Sequence, residues 1–267
     1  MADTIPAPLK GKVALVTGGS RGIGAGIVKA FARNGCTHIA ITYAKNKTAA
    51  EETLQAVNHT NSSIKTCAIQ GDVRDVEFGK KVVAESLRGL GVEHLDIVVS
   101  NAALLSLEHW GPVADLNFEQ WNEMMTSEAW TPLAVSREAF KIMPNDGRMI
   151  LISSAASKSS QGDPGIAYAA AKAALDAISR NLAAIYAKKN ITVNSISVGA
   201  TLTGSLQAAF DAVPGFEQMA VEASLLKRVG NVDDIANIVA FVASPQAGWI
   251  TGNAVPANGG ALSAAQS

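Results

Sequence analysis

Cysteine is nearly absent: Cys36 and Cys67 are the only two in 267 residues. That is too few for a disulfide framework, and each falls at or in an apolar strand pattern where a small hydrophobe fits. Four histidines, His38, His59, His94 and His109, are scattered without ligand spacing, so no metal is expected. Charge is sparse as well, with 17% charged residues, a net charge of −1 and no basic stripe, which argues against a nucleic-acid partner. No run of 18 apolar residues is present to span a membrane, and Met1 to Pro8 has neither the basic start nor the apolar core of a secretory signal. A cytoplasmic location and small-molecule partners are therefore the expectation. A linker is missing too. Strand and helix patterns alternate from Lys12 onward, and 48% of the residues are hydrophobic. One α/β domain over 1–267 is expected, with a loose tail over 1–8.

What is present begins with Thr17-Gly18-Gly19-Ser20-Arg21-Gly22-Ile23-Gly24, which follows the apolar run Val13-Ala14-Leu15-Val16. Beyond it, Ile23, Ile27, Ala30 and Phe31 share one helical face. The glycines thus sit between a buried strand and a helix. There the backbone can approach a ligand without Cβ atoms in the way, and the helix's free N–H groups and dipole favour an anion such as a pyrophosphate. The spacing Gly-x-x-x-Gly-x-Gly departs from the commoner dinucleotide fingerprint, and an ordinary turn is the alternative for this segment alone.

Thr37 to Tyr43 reads as the second strand, and its end lacks the acid that normally holds an adenosine ribose 2′-hydroxyl about 20 residues past the glycines. Tyr43 and Ala44 stand there instead, followed by Lys45, Asn46 and Lys47. With Arg21 in the glycine turn, these charges suit a 2′-phosphate, so NADP(H) is expected rather than NAD; solvated surface charges are the alternative. Further strands are expected over 64–70, 95–99, 147–154 and 191–197, with a short last one before Asn258. Asp72 with Val73, and Asn101 with Ala102, fall at strand carboxyl ends, the edge where such sheets bind ligands, although turn residues would fall there too.

Asn117 and Gln120 mark a helix start, after which Phe118, Trp121, Met125 and Glu128 share a face. A glutamate on an apolar face needs a partner or a raised pKa. Pro132 lacks an N–H, so the Glu128 carbonyl has no helical donor. In the Ala-rich helix that follows, Tyr168 and Lys172 are i and i+4, where an ammonium favours the phenolate and lowers the tyrosine pKa, as a proton donor to a carbonyl requires. Ser154, at a strand end, can hydrogen-bond the same oxygen. Tyr43 and Lys47 match the same Tyr-x-x-x-Lys pattern, but Tyr43 ends a strand. Residues 200–228 carry Phe210, Pro214, Phe216 and Met219, which suit a substrate lid or a helical core patch.

Together, Thr17-Gly18-x-x-x-Gly22-x-Gly24, Asp72, Asn101-Ala102, Ser154, Tyr168-x-x-x-Lys172 and Gly199-x-x-x-Thr203 resemble the short-chain dehydrogenase/reductases over nearly the whole chain. The pattern is most similar to fungal polyhydroxynaphthalene reductases and polyketide ketoreductases. The resemblance implies a single-domain α/β Rossmann fold, a doubly wound parallel sheet of about seven strands flanked by helices, commonly assembled as a homotetramer or homodimer. It implies NADPH-dependent carbonyl reduction with Tyr168 as the acid, Ser154 polarising the oxygen, and Lys172 tuning the tyrosine and holding the nicotinamide ribose. Gly18, Ser20, Arg21, Gly22, Ile23 and Gly24 would cradle the pyrophosphate. Tyr43 and Asn46 would meet the adenosine phosphate, Asp72 and Val73 the adenine. Asn101 and Ala102 would line the cleft, and Gly199, Thr201 and Thr203 would meet the nicotinamide end.

Ala103 and Asn258 depart mildly from the family pattern, and Val198, in place of the usual proline before Gly199, would loosen the nicotinamide end. Glu128 departs more, replacing a helical asparagine whose carbonyl holds a proton-relay water. The freed carbonyl would preserve the relay while the Glu128 side chain turns toward substrate as a fourth catalytic group. The segment Gln161-Gly162-Asp163-Pro164-Gly165-Ile166 is similar to a loop in fungal alkaloid-pathway members that reduce an iminium and guide a cycloaddition; Asp163 and Glu128 would then face a cation. An ordinary Pro-Gly turn is the alternative there. Trp110, Trp130, Phe210 and Phe216 would wall an apolar substrate, or serve as core and oligomer contacts. Three functions are thus open: reduction of an apolar carbonyl, cyclic ones included; iminium reduction with templated cyclisation; and a catalytically silent NADP-binding scaffold.

Overall fold

Four-residue β1 (Val13–Val16) is apolar at every position, as a strand covered on both faces must be. In the computed structural model, which describes residues 7–104, 112–160, 163 and 165–261, β1 lies inside a seven-stranded sheet of order β3-β2-β1-β4-β5-β6-β7. The other strands are β2 (His38–Tyr43), β3 (Lys65–Gln70), β4 (Ile97–Ser100), β5 (Arg148–Ser154), β6 (Thr192–Val198) and β7 (Ala254–Ala257). All pairings are parallel. The order reverses between β1 and β4, and the crevice at the carboxyl ends of those strands is where doubly wound sheets bind ligands.

Alternation along β1 divides the core in two. Ala14 and Val16 pack with Ile27, Phe31, Val57 and Val239. These come from α1 (Gly22–Arg33), α2 (Lys47–Thr60) and α9 (Val232–Ala243). Val13 and Leu15 pack on the opposite face with Phe78, Val82, Val135, Leu175 and Leu182. These belong to α3 (Phe78–Leu90), α5 (Thr131–Ile142) and α6 (Ile166–Tyr186). Phe31 and Phe78, both fully buried, each contribute about 1.5–3 kcal/mol of transfer free energy to their layer. Cys36 is buried with its thiol pushed up to about 12, chiefly by desolvation, which fits the packing role expected of it. No described helix is long and apolar enough to cross a membrane.

Asn117 caps α4 (Phe118–Met125) in a capping box with Gln120, as the sequence predicts. The shared face expected beyond it is not continuous. Phe118 is 80% exposed, and a π-turn spans Thr126–Trp130, where Thr131 N–H reaches back five residues to the Thr126 carbonyl. Pro132 supplies no donor to the ladder just beyond, so the helix widens here and restarts as α5. The segment over 200–228 folds as α7 (Gly204–Ala212) and α8 (Phe216–Ala223), joined by an edge-to-face contact of Phe210 on Phe216 at 5.4 Å. Of the expected tail, residues 1–6 lie outside the described residues, while the Ala7 carbonyl accepts from Lys10 N–H at 3.0 Å.

Candidate active site

The glycine turn is held from three sides. Gly18 N–H donates to Thr42 Oγ1 at 2.9 Å, and Thr53 Oγ1 donates to the Ser20 carbonyl at 3.0 Å. From the end of β4, Asn101 Nδ2 donates to the Thr17 carbonyl at 2.9 Å, while the Asn101 and Ala102 N–H groups both donate to Thr17 Oγ1. Asn101 therefore fastens β1 to β4 across the switch point. Gly18 sits at φ +65°, a region that favours glycine. A Cβ on Gly24 would stand 2.2 Å from the Gly18 carbonyl oxygen, which is backbone and cannot step aside. Gly24→Ala is expected to lose about 1–3 kcal/mol in urea denaturation.

A dinucleotide fits this turn. Arg21 is the N-cap of α1 with no side-chain cap, and the first turn of the helix carries no acidic residue. The leading N–H groups and the positive end of the helix dipole are thus unopposed, which is the chemistry a pyrophosphate needs. Ile23 packs its side chain onto the core beneath. A Cβ on Gly22 would lie 3.3 Å from the Thr203 methyl group, so the segment after β6 lies against the same turn. Thr203 caps α7, and Thr201 Oγ1 donates to the Gly199 carbonyl at 3.0 Å.

At the far end, Tyr43 is half-buried where β2 ends, and Asn46 caps α2 by accepting from Ala49 N–H at 2.9 Å. Lys47 is paired with Glu51 at 3.4 Å. Arg21 and Lys45 are exposed beside this edge. Asp72 is gripped by Arg74, with Nη2 to Oδ2 at 2.6 Å. That hydrogen bond holds its carboxyl below the usual carboxylate range. Thr131 Oγ1 donates to the Val73 carbonyl at 2.7 Å.

Tyr168 and Lys172 lie one turn apart on α6, with the ammonium 5.6 Å from the phenol ring centroid. Lys172 Nζ donates to the Ile152 carbonyl of β5 at 2.8 Å. Ser154 ends that strand, and its Oγ accepts from Ala156 N–H at 3.2 Å. Sequence spacing anticipates this trio, and the fold brings it to the carboxyl edge beside the glycine turn.

Glu128 is placed differently from the sequence expectation. Its carboxylate is turned inward rather than toward substrate: Oε2 lies 2.8 Å from Lys172 Nζ, and Oε1 accepts from Leu104 N–H at 2.6 Å. The π-turn aims the side chain at α6, and an available cation then captures a carboxylate that is only 1% exposed. Burial by itself would lower the Lys172 pKa, but the charges of Glu128 and Asp176, together with Tyr168, outweigh it and hold the ammonium above its ordinary value. Asp163 is also committed to protein, its Oδ1 accepting from Val113 N–H at 2.7 Å. Of the two acids assigned to a cationic substrate, Glu128 is therefore paired within the protein, while Asp163 is exposed with one oxygen on a backbone N–H.

The Trp130 indole N–H donates to the Val76 carbonyl and its ring carries Arg137 at 5.7 Å, so the partners it shows lie just before α3 and on α5, which fits the packing alternative. Phe210 is buried against Phe216, joining α7 to α8. Trp110, Gln161, Gly162 and Pro164 lie outside the described residues. Sequence reading missed Asp176, a buried carboxylate that accepts from Ser157 at 2.6 Å and Ser195 at 2.7 Å. Its place four residues after Lys172 was the available signal.

A family model described as enoyl-(acyl carrier protein) reductase matches residues 18–261. The chain is 39% identical over 260 residues to the short chain dehydrogenase penD of Penicillium thymicola, covering 96% of this chain and 93% of that one. It is 37% identical over 256 residues to the hydroxynaphthalene reductase arp2 of Aspergillus fumigatus, covering 92% and 90%. Among solved structures, the angucycline C-6 ketoreductase LanV with bound NADP is similar at a TM-score of 0.88 and 31% identity, covering 96% of this chain and 97% of that one.

Proposed function

The chain belongs to the short-chain dehydrogenase/reductase family, and on that premise we propose that it is an NADP(H)-dependent reductase of an apolar ring ketone in secondary metabolism. The observation that carries this reading is that Lys172, one turn from Tyr168 on α6, is bound to the Ile152 carbonyl two residues before Ser154 ends β5, in a sheet whose β1 runs into the uncapped glycine turn. Likeness to a hydroxynaphthalene reductase and to an angucycline ketoreductase supports the substrate class.

Bound along the turn, the reduced nicotinamide supplies a hydride. Tyr168 donates its phenolic proton to the carbonyl oxygen as that oxygen gains negative charge. Ser154 already accepts from Ala156, so its own proton is available to hold the same oxygen. Lys172 has three N–H donors; one goes to the Ile152 carbonyl, the ammonium is ion-paired with Glu128, and a further N–H would take a ribose hydroxyl. Arg21 and Lys45 would meet the 2′-phosphate, with Asp72 on the adenine side. The exposed Trp249 (99%) and Ile185 (54%) suit burial in a homotetramer or homodimer.

The test is oxidation of NADPH and NADH with a panel of cyclic ketones. Turnover with NADPH favoured is the expected result; NADH favoured, or no turnover with any ketone, would overturn the reading. Ala44→Asp restores the missing acid at the end of β2. It should reduce the NADPH preference in kcat/KM by about tenfold through repulsion of the 2′-phosphate.

A further inference from the structure

Three fully buried ionisable side chains meet where the π-turn packs on α6. Lys172 is 4% exposed, Glu128 1% and Asp176 4%. Glu128 closes on Nζ at 2.8 Å, and Asp176 stands one turn further along α6, near enough for its charge to act on Lys172. Tyr168, one turn the other way, is the remaining ionisable neighbour. The partners of Asp176, the hydroxyls of Ser157 and Ser195, satisfy its oxygens but do not neutralise them. Two buried carboxylates thus lie within reach of one buried ammonium, and of the two only Glu128 is paired with it. With formal charges, the cluster carries one negative charge in excess, in a place with almost no water to screen it.

Unbalanced buried charge is costly until something offsets it. On the dinucleotide reading above, on which this inference rests, the ligand that reaches Lys172 exists in two oxidation states differing by one positive charge. The reduced nicotinamide ring is neutral. After hydride leaves with both electrons of its C–H bond to form the new C–H bond at the carbonyl carbon, the ring is a cation. We propose that Glu128 and Asp176 set the charge of this site so that it holds the oxidised cofactor more tightly than the reduced one, favouring hydride donation. An asparagine at position 128 would supply no such charge. Glu128 is in this sense a positioning residue acting through its field, not a group that touches substrate.

The measurement is equilibrium titration of tryptophan fluorescence with NADP+ and with NADPH, read as the ratio of the two Kd values. Glu128→Gln removes the charge while keeping an oxygen for the Leu104 N–H. It should raise Kd(NADP+) relative to Kd(NADPH) by about five- to tenfold. Asp176→Asn, farther from the ammonium, should shift the ratio the same way by a smaller factor, and it decides the matter if Glu128→Gln does not fold. A purely structural role would change both Kd values by one common factor, so an unchanged ratio in the folded variants overturns the proposal. Wild-type protein that binds neither form overturns the dinucleotide reading itself, a failure distinct from an unchanged ratio.

Discussion

Tyr168→Phe is expected to lower ketone turnover by about a hundredfold to ten-thousandfold, the usual worth of a positioned general acid, with NADPH affinity held within about threefold. At about 1.36 kcal/mol per decade, that is about 2.7–5.5 kcal/mol of transition-state stabilisation. The split follows from position. The phenol shares the α6 face with Lys172 and packs among Met124, Ala167 and Ala171, a cluster that phenylalanine fills equally well. Removing the hydroxyl therefore leaves the packing in place and takes away the proton donor. Steady-state kinetics beside an NADPH titration check this. Turnover that survives with a cyclic iminium salt but not with a ketone would mark an acceptor that is already cationic and needs no acid. Unchanged ketone turnover would remove Tyr168 from the proposed chemistry.

Lys172→Met is expected to cost about 3–5 kcal/mol of folding stability in urea denaturation, besides its effect on activity. Methionine matches the stem in length, so the loss comes from charge: Glu128 and Asp176 would remain buried with no cation between them. Such a loss is a large share of the roughly 5–15 kcal/mol that keeps a domain folded. The wild-type protein has a pH signature with the opposite origin. Because the folded-state pKa of Lys172 is raised above the ordinary 10.5, its contribution is fully present below that value and is lost as pH rises through the higher folded one. The variant should lack this alkaline loss. A Lys172→Met protein as stable as wild type would mean that the buried carboxylates find other partners.

Much of the fold was legible because its signals are local. The apolar run at 13–16, the glycines at 18, 22 and 24, the Asn117 cap and the Tyr168/Lys172 spacing each depend on a few neighbouring residues, and each is found where the periodicity puts it. The acid missing after β2 is legible for the same reason. Asp72 and Asn101 were ambiguous between turn and ligand edge, and the structure gives each a protein partner: Arg74 for the first, the glycine turn for the second.

What the sequence by itself determined was the order of strands and helices, the glycine turn between β1 and α1, and the side chains proposed for the chemistry, since these follow from patterns no longer than a helix or a strand. What only the tertiary structure decided was where the carboxylates go: that Glu128 turns onto Lys172, that Asp176 is held by Ser157 and Ser195, and that Asp163 accepts from Val113. A carboxylate goes where a cation or donor lies within about 3 Å in a dry surrounding, and that neighbour is supplied by chain dozens of residues away.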